Sequence, residues 1–474
     1  MDFQRSVSPV SRAVKGVMAA LACTAGFTAA LPSFASDPVV FSFATVGDSR
    51  TDPAAPDPTT LLPNNTGTLL PQDRFWLQNT KAFARILRTV SSQKPNLLFF
   101  NGDMIYAYGR PVLPTVTGTG SAGTSGAAVT ATSVFSSTDL NPTDWLVGAT
   151  TANTNVTISP DFVADYAQYG YWRGMVANMF ETGTYVIPVP GNHETQCAAT
   201  KYPYSATTPN PNCASGTHAY KENENLWRAN MGDLVSDLVT NTRFSAVTGV
   251  AASSVAGLSS ASPAPVAGGN NGSITGDQTD LTYSFDVATA GGLMHFAIVN
   301  TDPSGADGTA PAAWLATDFA AAKSRGAVKF FVFGHKPAWT YQYGGHGTVG
   351  AAGLDATSVP LRNAFWSVIT QYKATYFCGH EHVVNVQAQP DPLGVTTNSS
   401  YQVLVGSGGS AFDDKLNGTC PACTEPVTPP STDRYYAWAV VQVHASGTVS
   451  LNLWGFSDTF GPTQSIASYN VSSL

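Results

Sequence analysis

Five stretches of this chain share one pattern, an apolar run rich in β-formers that stops at glycine followed by a polar residue: "VVFSFATVGD", "NLLFFNGD", "YVIPVPGN", "VKFFVFGH" and "ATYFCGH". Runs that stay apolar at successive positions, instead of alternating, suit strands covered on both faces. Between them the period changes. In "TKAFARILRTV", Phe83, Ile86, Leu87 and Val90 follow the i, i+3, i+4, i+7 spacing of a helix, and Tyr169, Trp172, Val176 and Phe180 make a similar stripe before "YVIPV". A further helix is predicted after Pro311, in "AAWLATDFAAAKSRG", closing at Gly326. Strands alternating with helices predict a layered α/β domain, in which sites gather beyond the carboxyl ends of the strands. After Tyr401, "YQVLVGSGG", "YYAWAVVQVH" and "TVSLNLWGF" predict strands that complete a second sheet.

Three stretches rich in small and polar residues interrupt this rhythm, at about 110–157, 196–220 and 244–280. They read as surface insertions in a single domain spanning 36–474. At the N-terminus, Arg5, Arg12 and Lys15 precede the apolar run "GVMAALACTAGFTAALPSF", and Ser33 and Ala35 are small enough for cleavage. Residues 1–35 therefore read as a signal peptide, which predicts a secreted or periplasmic protein with no membrane attachment after cleavage.

Composition narrows the function classes. Charged residues make up 11% of the chain, the net charge is −8 and no Lys/Arg run occurs, which argues against a nucleic-acid partner. Outside the leader there are five cysteines, an odd number: Cys197, Cys213, Cys378, Cys420 and Cys423. Cys197 with Cys213 and Cys420 with Cys423 are the economical disulfides in an oxidising compartment. Cys378, inside an apolar run, is expected to be a buried, unreactive thiol.

The strand ends carry the chemistry. Asp48, Asp103 with Tyr106 in "GDMIY", Asn192 and His193, His335, and His380 with His382 in "GHEH" are all oxygen or nitrogen donors. Such a set suits hard or borderline cations, with enough ligands for two ions if one carboxylate is shared. Each motif alone is weak; their joint occurrence at five strand ends is the signal.

The series "GD", "GDxxY", "GNHE", "VxxH", "GHxH" resembles that of the purple acid phosphatases, within the calcineurin-like metallophosphoesterases, from about Val39 to His382. The resemblance implies a fold of two mixed β-sheets packed as a sandwich flanked by helices. It also implies that Asp48, Asp103, Tyr106 and His382 hold one metal, and that Asp103, Asn192, His335 and His380 hold the other. The first ion would be Fe(III), favoured by a phenolate, and the second Zn, Mn or Fe(II). The implied reaction is hydrolysis of small phosphate monoesters, with in-line attack by a hydroxide that the metals hold; a phosphodiesterase on the same scaffold and a catalytically silent binding protein are the alternatives. His193 would be the general acid, or else a hydrogen-bond partner of a ligand, and Glu194 would orient a histidine or cap a helix. His346, in "YQYGGHG", lies near where this family places a substrate-contacting histidine. One departure stands out: Arg50 in "GDSR" occupies a position where the family has Gly or a ligand His. It could clamp phosphate with its planar fork or pair with a structural carboxylate.

Overall fold

Phe99 and Phe100 are neighbours in sequence and point to opposite faces of their strand, and the fold can be built from that alternation. In the computed structural model of the chain, the described residues are 37–50, 79–106, 129–130, 157–158, 160–195, 220–258, 278–303, 308–341, 353–410, 412 and 435–471. Fifteen strands occur among them. They are β1 (Val39–Val46), β2 (Leu97–Asn101), β3 (Val129–Thr130), β4 (Thr157–Ile158), β5 (Tyr185–Val189), β6 (Ala252–Gly257), β7 (Tyr283–Thr289) and β8 (Gly292–Ile298), followed by β9 (Ala327–Phe333), β10 (Thr375–Cys378), β11 (Val384–Pro390), β12 (Ser399–Val405), β13 (Tyr436–His444), β14 (Val449–Phe456) and β15 (Gln464–Asn470).

Two mixed sheets hold all but β3 and β4, which pair with each other. The first has the order β15-β14-β13-β1-β2-β5 and the second β11-β12-β10-β9-β8-β7-β6. In the first, β1, β2 and β5 run parallel while β13 joins β1 antiparallel. In the second, β8, β9, β10 and β12 are parallel neighbours. Pro188 sits within β5, at the sheet's edge, where its missing N–H leaves no ladder bond unmade.

Phenylalanines fill the space between the sheets. Phe43 of β1 meets Phe296, Phe331, Phe333 and Phe377 of the second sheet edge-on, and Phe99 stacks on Phe333. Fully burying each such ring stabilises the fold by roughly 1.5–3 kcal/mol. Phe100 turns the other way, onto Phe83 of the helix Thr80–Gln93 and Trp172 of the helix Pro160–Glu181. On the outer side of the second sheet, Leu315 and Phe319 of the helix Ala312–Ser324 and Phe365 and Ile369 of the helix Val359–Gln371 close a second core. The order of layers is helix, sheet, sheet, helix, which is why the strands read as continuous apolar runs. No helix among the described residues is long and apolar enough to cross a membrane.

The structure changes two sequence-level expectations. The closing strands do not all join one sheet: β12 lies beside β10, whereas β13 and β14 extend the first sheet outward from β1. The stretch 244–280, expected as an insertion, begins as structure, because Thr242–Thr248 is helical and β6 pairs with β7. Residues 1–35, most of 110–157, residues 196–219 and all four cysteines of the expected disulfides lie outside the described residues, as does His346. Cys378 is a buried free thiol, as expected, and burial pushes its pKa well up.

A buried polar cluster fastens the helix Ala312–Ser324 to the second sheet. His295 on β8 stands 2.7 Å from Asp286 Oδ1, directly opposite it on β7, and 2.8 Å from Asp318 Oδ2 on the helix. Ser284 donates to the second Asp318 oxygen, Arg325 donates to the second Asp286 oxygen, and Phe319 and Phe330 cover the imidazole. Both ring nitrogens face carboxylates, so both donate only when the ring is cationic. Burial opposes that charge, but the hydrogen bonds and charges of Asp286 and Asp318 outweigh it and raise the His295 pKa. The Asp286 pKa is lowered, because the hydrogen bonds from His295 and Arg325 overcome its burial.

The two ends of the pH range follow from these directions. The histidine's contribution is complete below its ordinary value of 6.5 and is lost as pH rises through the raised one. The Asp286 contribution is complete above 3.8 and is lost as pH falls through its depressed value. His295→Gln is expected to lower stability by about 3 kcal/mol between those limits. In thermal unfolding followed across pH, its deficit against the parent should shrink toward alkaline pH; a deficit independent of pH would show that the ring is neutral.

Candidate metal centre

Each of the five parallel strands β1, β2, β5, β9 and β10 ends in a glycine-containing turn, and the turns meet at one edge of the sandwich. The backbone ties them together: Asp48 N–H donates to Gly102 O, Gly379 N–H to His335 O, and Gly47 N–H to Val405 O. Close approach is the reason for two of the glycines. A Cβ on Gly191 would strike Asp103 and Glu194, and one on Gly379 would strike the Asp48 carboxylate. Three of the donors themselves adopt left-handed backbone, with φ of 61° at Asp48, 55° at Asp103 and 75° at His380. For residues with a side chain such conformations cost about 1–3 kcal/mol each and gather at functional sites.

The turns bring the sequence-predicted donors into two groups that share a carboxylate. Atoms of Asp103, His335 and His380 lie within 4.8 Å of one another, and so do atoms of Asp48, Asp103 and His382. His335 Nε2 is 3.1 Å from Asp103 Oδ1, 2.7 Å from Asn192 Oδ1 and 3.1 Å from His380 Nδ1, which is itself 2.8 Å from the same amide oxygen. His335 Nδ1 lies 2.7 Å from Asn101 O. A carbonyl only accepts, so Nδ1 carries the hydrogen and a neutral His335 turns a lone pair toward Asn192 and Asp103. Acceptors crowded this way require something positive among them, a proton or a metal ion. The electrostatics agree: although burial opposes it, Asp103 raises His335 to about 9.

On the other side of Asp103, Asp48 is wholly buried, and its Oδ2 accepts the His380 N–H at 3.0 Å. Its Oδ1 accepts no hydrogen bond and faces His382 Nε2 at 3.7 Å. That gap is too long for a hydrogen bond and suits two ligands flanking one ion at bond lengths of about 2.0–2.2 Å. Burial pushes the Asp48 carboxyl well up, with the Asp103 charge adding to it. Asp103 is held well below the usual range because His193, His335 and Arg50 outweigh its burial. With oxygen and nitrogen donors, an acceptor lacking a hydrogen and two adjoining carboxylates, these residues fit a pair of hard or borderline cations. His380 and His382, two positions apart, diverge at the turn: the first faces Asn192 and His335, the second Asp48.

Tyr106 lies at the rim of this cluster and is 5% exposed. Its N–H donates to Gln168 Oε1 of the helix Pro160–Glu181, and its ring centroid is 5.4 Å from that of His193 and 5.9 Å from the Arg50 guanidinium. Arg50 Nε donates to Asp103 Oδ2 at 3.2 Å, so this arginine pairs with a carboxylate, and the carboxylate is the one common to both donor groups. His193 accompanies it: the backbone N–H donates to Asp103 Oδ1, Nδ1 is 2.7 Å from Tyr106 O, and Nε2 is 3.7 Å from Asp103 Oδ2.

Sequence reasoning missed two supporting residues. Asn101 orients His335 through its carbonyl, and Gln168 holds Tyr106 from a helix about sixty positions away. Neither carries a local signal. Glu194 caps the short helix Asn192–Thr195, accepting the N–H of Gly191 that precedes it, and the same carboxylate accepts three backbone N–H groups from the β2 turn. Its place in "GNHE" was the available clue.

No family model and no curated protein matches the chain. Among solved structures, the chain is similar to the purple acid phosphatase PPD1 from yellow lupin (Lupinus luteus) seeds, with 12% identity and a TM-score of 0.44; the match covers 91% of this chain and 54% of that one, so this chain spans about half the length of the lupin protein. It is similar to PhoD with 12% identity and a TM-score of 0.44, over 92% of this chain and 71% of the other. It also resembles a dimetal phosphatase from Danio rerio, with 10% identity and a TM-score of 0.38, over 91% and 99%.

Proposed function

We propose that this chain is a metal-dependent phosphatase that hydrolyses small phosphate monoesters. The observation that carries the proposal is the sharing of one buried carboxylate, Asp103, between two groups of potential metal ligands, one with His335 and His380 and the other with Asp48 and His382. In this reading Asp48, Asp103, Tyr106 and His382 hold one cation, and Asp103, Asn192, His335 and His380 hold the second. Bound there, two cations would supply Lewis acidity, acidifying water and neutralising the phosphoryl oxygens.

The chain's own residues do the rest. His193 donates through Nδ1 to a carbonyl, so any proton it gives to a leaving oxygen comes from Nε2, the atom on the Asp103 side. The Tyr106 carbonyl orients that imidazole, and Asp103 holds the backbone that carries it. Arg50 places a fixed positive charge beside the shared carboxylate, which favours an approaching phosphoryl group. Arg50→Ala is expected to raise KM for a phosphate ester by about ten- to a hundredfold, the value of a charge-assisted hydrogen bond, with metal content unchanged. A normal KM with reduced metal content would assign Arg50 to the carboxylate alone.

The deciding experiment combines elemental analysis and a visible spectrum of the purified full chain with hydrolysis of p-nitrophenyl phosphate and its bis ester across acidic and neutral pH. Two metals per chain and faster turnover of the monoester are expected. Iron with a broad band in the middle of the visible range would report Tyr106 as a phenolate ligand, and a protein that holds ferric iron without that band would remove Tyr106 from the ligand set. Preference for the bis ester would make the chain a diesterase, and no metal at all would end the proposal.

A further inference from the structure

The buried carboxylate of Glu194 is surrounded by backbone N–H groups. Oε2 accepts from Gly191 at 2.7 Å and from Asp103 at 2.9 Å, while Oε1 accepts from Met104 at 2.8 Å and from Ile105 at 3.1 Å. Three of these donors are consecutive residues of the turn after β2, and the fourth belongs to the turn after β5. The traffic runs both ways, because Asp103 Oδ1 accepts the His193 N–H from the β5 turn. Two carboxylates, each reaching into the other's turn, thus lock the pair, and Gly191 leaves them room to close: a Cβ there would strike Asp103 N, Asp103 Oδ1 and Glu194 Oε2.

We infer that Glu194 is a positioning residue for Asp103, setting the left-handed turn that aims the shared carboxylate at both donor groups, and so governs retention of both metal ions together. This rests on the two-metal reading above. Four N–H donors require an acceptor at both oxygens. Glutamine keeps the shape but presents an NH2 to two of them, and a buried donor facing a donor forces the turn open. Because Asp103 belongs to both donor groups, a shift of its turn disturbs both sites at once, whereas loss of a ligand private to one site would not.

The test is titration of the metal-stripped full chain with Zn2+ against a competing chelator, on the parent, Glu194→Gln and His295→Gln. The last weakens the fold at a cluster that contributes no donor to the metal site. The parent is expected to take up two ions, Glu194→Gln to bind both some ten- to a hundredfold more weakly, as for other residues that orient ligands, and His295→Gln to bind like the parent. Parent-like affinity in Glu194→Gln would overturn the inference, and equal weakening in both variants would reduce it to lost stability. A parent that binds no zinc would refute the two-metal reading itself. Should Glu194→Gln fail to fold, Glu194→Asp keeps two acceptors on a shorter arm and is read on the same scale: about tenfold weaker binding of both ions supports the inference, and unchanged binding overturns it.

Discussion

Asp103→Asn is expected to abolish retention of both metal ions and to lower kcat/KM for p-nitrophenyl phosphate by about a thousandfold or more, since a bound cation stabilises the transition state by several kcal/mol and about 4 kcal/mol is a thousandfold. The substitution preserves volume and one oxygen. It removes the negative charge on which Arg50, His193 and His335 converge at 3.2, 3.7 and 3.1 Å. The parent arrangement is one anion among cationic or potentially cationic partners, and the variant leaves those partners facing each other across a neutral amide. His335, raised to about 9 chiefly because Asp103 outweighs its burial, would then lose its proton more readily. Elemental analysis beside steady-state kinetics checks the expectation. A variant that keeps two metals and parental turnover would show that Asp103 is a structural carboxylate and that the donor groups are independent.

His193→Ala separates the proton from the metals. Its backbone N–H, which donates to Asp103, survives the substitution, so the shared carboxylate stays in place and metal content should stay parental. What disappears is the imidazole and, with it, the Nε2 through which a proton would be given. On a substrate with a poor leaving group, such as an alkyl phosphate, kcat is expected to fall by about 10²–10⁴, the usual worth of a positioned general acid. On p-nitrophenyl phosphate, whose leaving oxygen needs little protonation, the loss should be far smaller. Equal losses on both substrates would mean that the ring only supports Tyr106 and the turn around it, and a full rate on the alkyl ester would exclude it as the acid.

Both expectations rest on residues that could be picked out before any coordinates. Asp48, Asp103, Asn192, His335, His380 and His382 each end an apolar run at a glycine, and burial of β1, β2, β5, β9 and β10 on both faces explains why those runs are continuous. What could not be read was the use of the flanking positions. The Glu194 carboxylate is recognised by backbone N–H groups some ninety residues away, and backbone donors are the same in every sequence. Arg50 was open between a substrate clamp and an ion pair, because the choice depends on which atom lies 3.2 Å away. His295 carried no motif at all; its importance comes from Asp286 across a strand pair and Asp318 on a packed helix.

The same division holds for the fold. Periodicity, turn residues and donor chemistry are local properties of the chain, so they determine where strands and helices form, which strand ends are polar and what kind of ion such ends suit. Sheet membership is not local. β12 and β13 both read as apolar strands, yet one pairs with β10 and the other with β1, and no residue within either strand names its partner. The left-handed turns at Asp48, Asp103 and His380 are likewise unfavourable in isolation and persist because the assembled edge over-determines them. Residue identities supplied the donors; long-range packing alone decided that they face one another.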